Sequence, residues 1–270
     1  MKTLVTALLW GAAAPSLAQN AGVSLHAFEC GNSPARDVTI FSDTHAMDGV
    51  KKDLIAGCYL IRHPKGVLLW DAGMTPELVG APQPVQGWTL KQSIPDRLKV
   101  LGLTPAQVTH VGISHHHADH SGGARDFPGA ELLIGKGDWD ALKAMKPDDR
   151  PAAQLAHWLT GGGKVTPVAG DKDVFGDGSV MMLGMPGHTP GHTVLLVRLA
   201  SGAVLLSGDQ YHFRENREVR GVPSFNTNRA DTLASHDRFE TIARNLKARV
   251  IIQHDPRDMA QLPAFPAAMK

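Results

Sequence analysis

The sequence predicts an α/β protein in one domain, with a two-layer sheet core and helices outside. Three observations lead there. Short strand-like runs, some alternating and some continuously apolar, are separated by segments with helical apolar spacing. The chain has 270 residues, 43% of them hydrophobic, enough for one sizeable core. Neither a strict repeat nor a low-complexity stretch interrupts it.

Element by element, strand-like runs occupy residues 23–29, 38–42, 54–62 and 67–70. His63-Pro64-Lys65-Gly66 between the last two is a tight-turn signal, so they form a hairpin. Residues 73–87 are Gly/Pro-rich loop, and 94–101 are helical by apolar spacing. Thr104 is an N-cap with Pro105 at the first position of a short helical turn. Residues 108–114 form a strand, and a histidine cluster begins where it ends. Such loops are where α/β proteins often place function. In the second half, 131–134 is a strand, 138–145 a helix capped by Asp138, and 146–151 a loop. Strands follow at 180–183, 194–199 and 204–207, with Ser201-Gly202 as a hairpin turn. Residues 232–246 make an amphipathic helix with Leu233, Phe239, Ile242 and Leu246 on one face. A buried strand at 250–252 leads to His254.

Composition excludes several classes. Lys plus Arg (27) and Asp plus Glu (26) nearly balance and are interspersed, so there is no basic stripe to bind nucleic acid. Only the N-terminus carries a long apolar run, which excludes a multi-span membrane protein. Residues 1–18 read as a signal peptide: Lys2, an apolar stretch at 4–14 too short to span a bilayer, then Ser16 and Ala18 at the −3 and −1 positions. The expectation is a secreted or periplasmic protein, free of the membrane after cleavage near Gln19. A retained anchor helix is the competing reading. Cys30 and Cys58 fall in neighbouring N-terminal strands, and a disulfide or two buried thiols are both open.

Aromatics are sparse, at 6%, whereas there are 14 histidines, four of them between His115 and His120. The segment SHHHADHSGG, from Ser114 to Gly123, contains H-x-H-x-D-H: His115, His117, Asp119 and His120. In an extended loop His115 and His117 point to one side and His116 to the other. Imidazoles and a carboxylate at this density suit zinc or a similar divalent metal. A solvated His-rich loop is a poor competitor directly after a buried strand. Partners stand at later strand ends: His188 and His192 in PGHTPGH, Asp209 after Ser207-Gly208, and His254 in Gln253-His254-Asp255. Each alone is more often structural than ligating.

Taken together, H-x-H-x-D-H, G-H-T-P-G-H, G-D and a late His resemble the metallo-β-lactamase superfamily across nearly all of residues 19–270. Within it, the chain is most similar to the N-acyl homoserine lactonase-type hydrolases. The resemblance implies an αββα sandwich, with residues 19–270 as one hydrolase domain. It also implies two divalent metal ions, zinc by default. His115, His117 and His188 would hold one; Asp119, His120 and His254 the other; Asp209 would bridge them. Asp71, in Asp71-Ala72-Gly73, resembles a motif whose Asp orients the metal-binding loop from behind, a plain turn residue being the alternative, and His192 would either support the ligands or pack beside them. Two such metals lower the pKa of a shared water toward ~7 and polarise a carbonyl. Asp119 would orient that nucleophile and shuttle a proton.

The implied substrate is a small molecule, a lactone or related ester. A metallo-β-lactamase is one alternative, though those enzymes generally lack a carboxylate at the position of Asp209. A non-catalytic metal-binding protein is another, against which the full ligand set argues. The family places a carbonyl-donating Tyr three residues beyond the bridging Asp. Here Tyr211 stands two beyond and His212 three, so either is a candidate donor, and the competing reading is that Tyr211 simply packs beside the site. Arg214, Arg217, Arg220 and Arg229 would either recognise an acidic substrate group or be solvated. Met74, Leu78, Val79, Val85 and Trp88 would either wall an acyl chain or pack as an ordinary loop. Oligomeric state is left undefined.

Overall fold

In the computed structural model, which describes residues 22–270, two sheets lie between two layers of helices. The segment read as a signal peptide, 1–18, lies outside the described residues. The first sheet runs in chain order: β1 (Ser24–Asp37), β2 (Lys51–His63), β3 (Gly66–Trp70), β4 (His110–Ile113), β5 (Glu131–Gly135) and β6 (Val165–Val168). The β1–β2–β3 part is antiparallel, and β3 to β6 are parallel. The second sheet has β7 (Lys172–Asp173), β8 (Val180–Gly184), β9 (Thr193–Leu199), β10 (Gly202–Leu206) and β11 (Arg249–Ile251) side by side, with only β10–β11 parallel. The helices are α1 (Ile94–Val100), α2 (Ala118–Ser121), α3 (Lys136–Ala144), α4 (Arg150–Gln154), α5 (Ala156–Leu159), α6 (Arg214–Glu218), α7 (Arg229–Asn245) and α8 (Pro256–Met259).

Period-2 alternation sorts the strand side chains into layers. Tyr59, Ile61, Leu68, Trp70, Leu195, Val197, Val204 and Leu206 meet between the sheets. Their neighbours Cys58, Leu60 and Leu69 face outward onto Ile94 and Leu98 of α1, Leu142 of α3 and Trp158 of α5. Leu196 and Leu205 face outward onto Phe239 and Ala243 of α7. Both faces of each sheet are thus covered, as expected of strands that read as nearly continuous apolar runs. Cys30 and Cys58 are joined as a disulfide linking β1 to β2, which closes the question the sequence left open. No helix among the described residues is long and apolar enough to cross a membrane.

Three expectations need correction. Residues 38–42 are not a strand: Asp37 Oδ1 accepts the Thr39 N–H at 2.9 Å and turns the chain into a 3₁₀ turn at Thr39–Phe41. Asp138 is not a helix cap: α3 starts two residues earlier, and the Asp138 side chain is buried elsewhere. The loop at 146–151 ends early, because Pro151 occupies the first turn of α4. β6, β7 and the short helices α2, α4, α5, α6 and α8 escaped the sequence reading; each is five residues or fewer. The α7 helix is confirmed and starts at Arg229, with Asn228 Oδ1 accepting the Asp231 N–H at 3.1 Å. Its buried stripe is Thr232, Ser235, His236, Phe239 and Ala243, leaving Leu233 half-buried at its edge.

Candidate metal centre

Four chain segments deliver the motif residues to one edge of the sandwich. The H-x-H-x-D-H segment follows β4, the G-H-T-P-G-H loop joins β8 to β9, Asp209 follows β10 and His254 follows β11. Two groups of donor atoms result: His115, His117, His188 and Asp209, then Asp119, His120 and His254. Within each, the atoms lie within 4.8 Å of one another. Asp209 divides its carboxylate between the groups. Its Oδ2 is 3.5 Å from His115 Nε2 and 3.4 Å from His188 Nε2. Its Oδ1 is 3.2 Å from His120 Nε2 and 3.0 Å from His254 Nε2. Asp119 Oδ2 is 3.8 Å from His254 Nε2.

The donor set fits divalent metal ions on its own chemistry. His117 Nδ1 lies 2.9 Å from His115 Nε2 and 3.2 Å from His188 Nε2. Burial holds all three imidazoles below their ordinary pKa, His117 at about 4, so they are neutral near pH 7 with lone pairs available. His120 Nε2 and Asp209 Oδ1 are buried without a hydrogen-bond partner, an expensive state unless a cation fills the space. Burial also opposes charge on His120 and His254, but Asp209 and the other nearby acids outweigh it and hold both above their ordinary value. Asp209 is likewise buried, and its histidine neighbours, His254 first, keep it ionised.

A surrounding layer fixes these rings. His254 Nδ1–H donates to the Ile55 carbonyl at 2.6 Å, which aims Nε2 at the centre. The Asp71 carboxylate accepts from His120 Nδ1 at 2.9 Å and from the Ser114 N–H and hydroxyl at 2.7 and 2.9 Å. His192 also supports, acting on the backbone. Its Nδ1–H donates to the Met185 carbonyl at 3.0 Å, and its Nε2 accepts the Asp209 N–H at 2.9 Å. His116 turns away, as expected, and its Nδ1 lies 3.3 Å from Asp138.

Asp138 is the supporting residue the sequence did not expose. Its carboxylate accepts from the Gly191 N–H (2.7 Å), the Thr189 hydroxyl (2.8 Å) and the His116 N–H (3.0 Å). It thereby ties the loop carrying His188 to the loop carrying His115 and His117. Burial would raise its pKa, but the bonds from His116, Thr189 and Gly191 keep it below the ordinary value.

Over the centre lies a cavity of about 260 Å³, lined by Arg36, Ile40, Phe41, Leu54, Trp88 and Phe225 besides His117, Asp119, Asp209, His212 and His254. The two donor candidates separate cleanly. His212 is inside, with Nε2 3.1 Å from Asp209 Oδ2 and its ring stacked on His254 at 5.7 Å. Tyr211 is outside: it stacks on His236 and packs against Phe239 under α7, so it is no carbonyl donor. The 3₁₀ turn at Gly208–Gln210 gives way to an extended Tyr211, and successive side chains of extended backbone point to opposite sides, so Tyr211 and His212 part. Of the apolar loop residues 74–88, Trp88 lines the cavity, Met74 and Leu78 are buried in packing, and Val79 and Val85 are exposed. The four arginines are held by Asp258, Glu240, Asp237 and Asp43 and do not line it.

Comparison with known proteins identifies the family and the fold. The chain is 30% identical over 244 residues to the N-acyl homoserine lactonase AttM of Rhizobium radiobacter, covering 81% of this chain and 89% of that one. It is 29% identical over 234 residues to AttM of Azorhizobium caulinodans, covering 77% and 85%. Among solved structures, a quorum-quenching N-acyl homoserine lactone lactonase shares the fold with a TM-score of 0.77 at 24% identity, covering 91% of this chain and 98% of that one. An N-acyl homoserine lactone hydrolase with N-hexanoyl-L-homoserine at its catalytic metal centre superposes with a TM-score of 0.76 at 23% identity, over the same shares. The family model of the metallo-β-lactamase superfamily matches residues 53–254, which span every motif residue from Asp71 to His254, and the chain belongs to that superfamily.

Proposed function

We propose that this hydrolase opens N-acyl homoserine lactones at a dinuclear centre. One observation carries the reading: Asp209 splits its carboxylate between two ligand groups beneath a cavity with apolar walls. The names of the curated relatives support the substrate class. His115, His117 and His188 would hold one ion, Asp119, His120 and His254 the second, and Asp209 both, with zinc as the default. Bound there, two divalent ions supply a nucleophile at neutral pH and Lewis acidity toward a carbonyl.

The chain's own residues do the rest. His212 Nε2, beside Asp209, donates a hydrogen bond to the lactone carbonyl oxygen as charge builds on it. The Asp119 carboxylate takes up a proton and returns it to the departing alkoxide. Phe41, Leu54 and Trp88 exclude bulk water, and the exposed side chains of Ile40 and Phe225 receive the acyl chain. We place the protein outside the cytoplasm, as the pattern of residues 1–18 and the Cys30–Cys58 bridge support.

The test uses zinc-loaded protein with hexanoyl and dodecanoyl homoserine lactones and a β-lactam, alongside metal analysis. Two metals per chain and ring opening of the lactones are expected. A kcat/KM orders of magnitude higher on the β-lactam would replace the lactonase reading with the β-lactamase one. Two metals with no turnover of any substrate would make the protein a binder.

A further inference from the structure

Among the side chains lining the cavity, Arg36 is the one charged group that belongs to neither ligand set. It is half-buried and lies where β1 breaks register against β2, between Ser33 and Arg36. One guanidinium N–H, on Nη1, donates to the Gln86 carbonyl at 2.6 Å. Gly87 backs the same nitrogen so closely that a Cβ there would sit 3.1 Å from it, and with φ +82 the position suits glycine. The arm is therefore fixed at the cavity mouth. It forms no ion pair among the described residues, and the Gln86 carbonyl is its one hydrogen-bond acceptor there. The other arginines near the site are each matched to a carboxylate: Arg214 with Asp258, Arg217 with Glu240, Arg229 with Asp43.

A fixed, unmatched guanidinium beside apolar walls is a recognition group. It offers two N–H bonds in a planar fork, a geometry suited to two oxygens about as far apart as those of a carboxylate. A plain N-acyl amide presents one oxygen. A β-keto amide presents two carbonyl oxygens, on carbons joined through one methylene, that can turn to one side and accept from two N–H groups of one guanidinium, and it remains neutral. Its alkyl remainder would then lie on Trp88, Ile40 and Phe225. We propose that Arg36 is a specificity-determining residue that selects acyl groups bearing a 3-oxo carbonyl over unsubstituted ones. This rests on the lactonase reading and deepens it.

The experiment compares kcat/KM for N-hexanoyl and N-(3-oxohexanoyl) homoserine lactone in the wild type, Arg36→Met and Arg36→Lys, all metal-loaded. A ratio of two substrates on one preparation does not depend on how much of a variant is folded. Wild type should favour the 3-oxo lactone by about tenfold, mainly in KM, as suits one added charge-assisted hydrogen bond. Arg36→Met should bring the ratio to near one. Arg36→Lys, which keeps the charge and loses the fork, should fall well below wild type. A wild-type ratio near one, or a ratio unchanged in Arg36→Met, would overturn the inference while leaving the lactonase reading standing. Failure to open either lactone would overturn both.

Discussion

Replacing Asp138 with Ala should damage the metal centre without touching a ligand. The carboxylate accepts two backbone N–H groups and one hydroxyl, from Gly191, His116 and Thr189, at 2.7 to 3.0 Å, and all of it is buried. Alanine leaves those donors without an acceptor. A buried donor so stranded costs roughly 1–3 kcal/mol, and the remaining space admits some water, so a total of about 3–5 kcal/mol is expected. For a chain of this size that is a fall in Tm of roughly 6–20 °C. The loops carrying His188 and His115 also lose their tie, and loss of such outer partners typically costs about 10–100-fold in metal affinity. Asp138→Asn separates shape from charge: its amide NH₂ must face at least one of the same donors, so it should fall between Ala and wild type. Because the native Asp138 pKa is lowered from 3.8, its contribution is fully present above the unfolded value and fades as pH falls through the native one. The gap between wild type and Asp138→Asn should shrink below pH 3.8 accordingly. Urea unfolding of the metal-free proteins and zinc competition against a chelator read the two effects separately. Asp140→Asn, an exposed pair with Lys136 and Lys143, is the control and should leave both stability and zinc affinity unchanged. An Asp138→Ala protein within 1 kcal/mol of wild type and with unchanged zinc affinity would refute the account.

Four further outcomes follow from the geometry. His212→Phe should lower kcat by about 10²-fold with a smaller change in KM, while Tyr211→Phe should leave kcat nearly unchanged; steady-state kinetics showing the reverse would reinstate Tyr211 as donor. Asp209 raises the proton affinity of His120 and His254 in the metal-free protein, so zinc binding there should displace protons. Calorimetry in buffers of different ionisation enthalpy should detect that release, and zinc affinity should weaken as pH falls. His236, buried with its Nε2–H on the Gln210 carbonyl at 2.9 Å, is lowered to about 4. The unfolded chain therefore binds its proton first, and stability should fall as pH drops from 6.5 to about 4; His236→Gln should flatten that slope in pH-dependent denaturation. Replacing both Cys30 and Cys58 with Ala opens a loop of sequence separation 28 and should cost about 3–4 kcal/mol, read as a lower urea midpoint.

How much was legible depended on how local each interaction is. His115, His117, Asp119 and His120 announce themselves because one short loop carries four candidate ligands at fixed spacing. The two-layer core was legible only in outline: β2, β9 and β10 read as continuous apolar runs, which marks strands covered on both faces without saying which residue meets which layer. Residues 38–42 misled because Val38, Thr39 and Ile40 have strand propensity, whereas a neighbouring carboxylate, Asp37, decides the backbone. Asp138 was hidden because its partners lie 22, 51 and 53 residues away, and a polar residue opening an apolar helical run reads as a cap. Apart from Trp88, which stood among the residues that could wall an acyl chain, the cavity wall was hidden for the same reason. Arg36, Phe41, Trp88 and Phe225 come from four separate loops or strand ends, with no spacing rule among them.

The supporting residues also explain why the centre is built on strand ends and not on one helix. Metal ligands that converge without an ion repel or strand one another: lone pairs of His115, His117 and His188 meet, and His120 Nε2 and Asp209 Oδ1 are buried without partners. Such a set persists only if each ring is held from behind. Asp71 holds His120, the Ile55 carbonyl holds His254, His192 holds the Asp209 backbone, and Asp138 holds both histidine loops. These four anchors come from β3's end, β2, the β8–β9 loop and α3, so both sheets and one outer helix converge on the site. A single helix could present two ligands at i and i+4 but could not bring four independent anchors behind them. The sandwich therefore spends its core stability on preorganisation: the more rigidly the layers pack, the less the ligands must be ordered by the metal itself, and the tighter the metal is held.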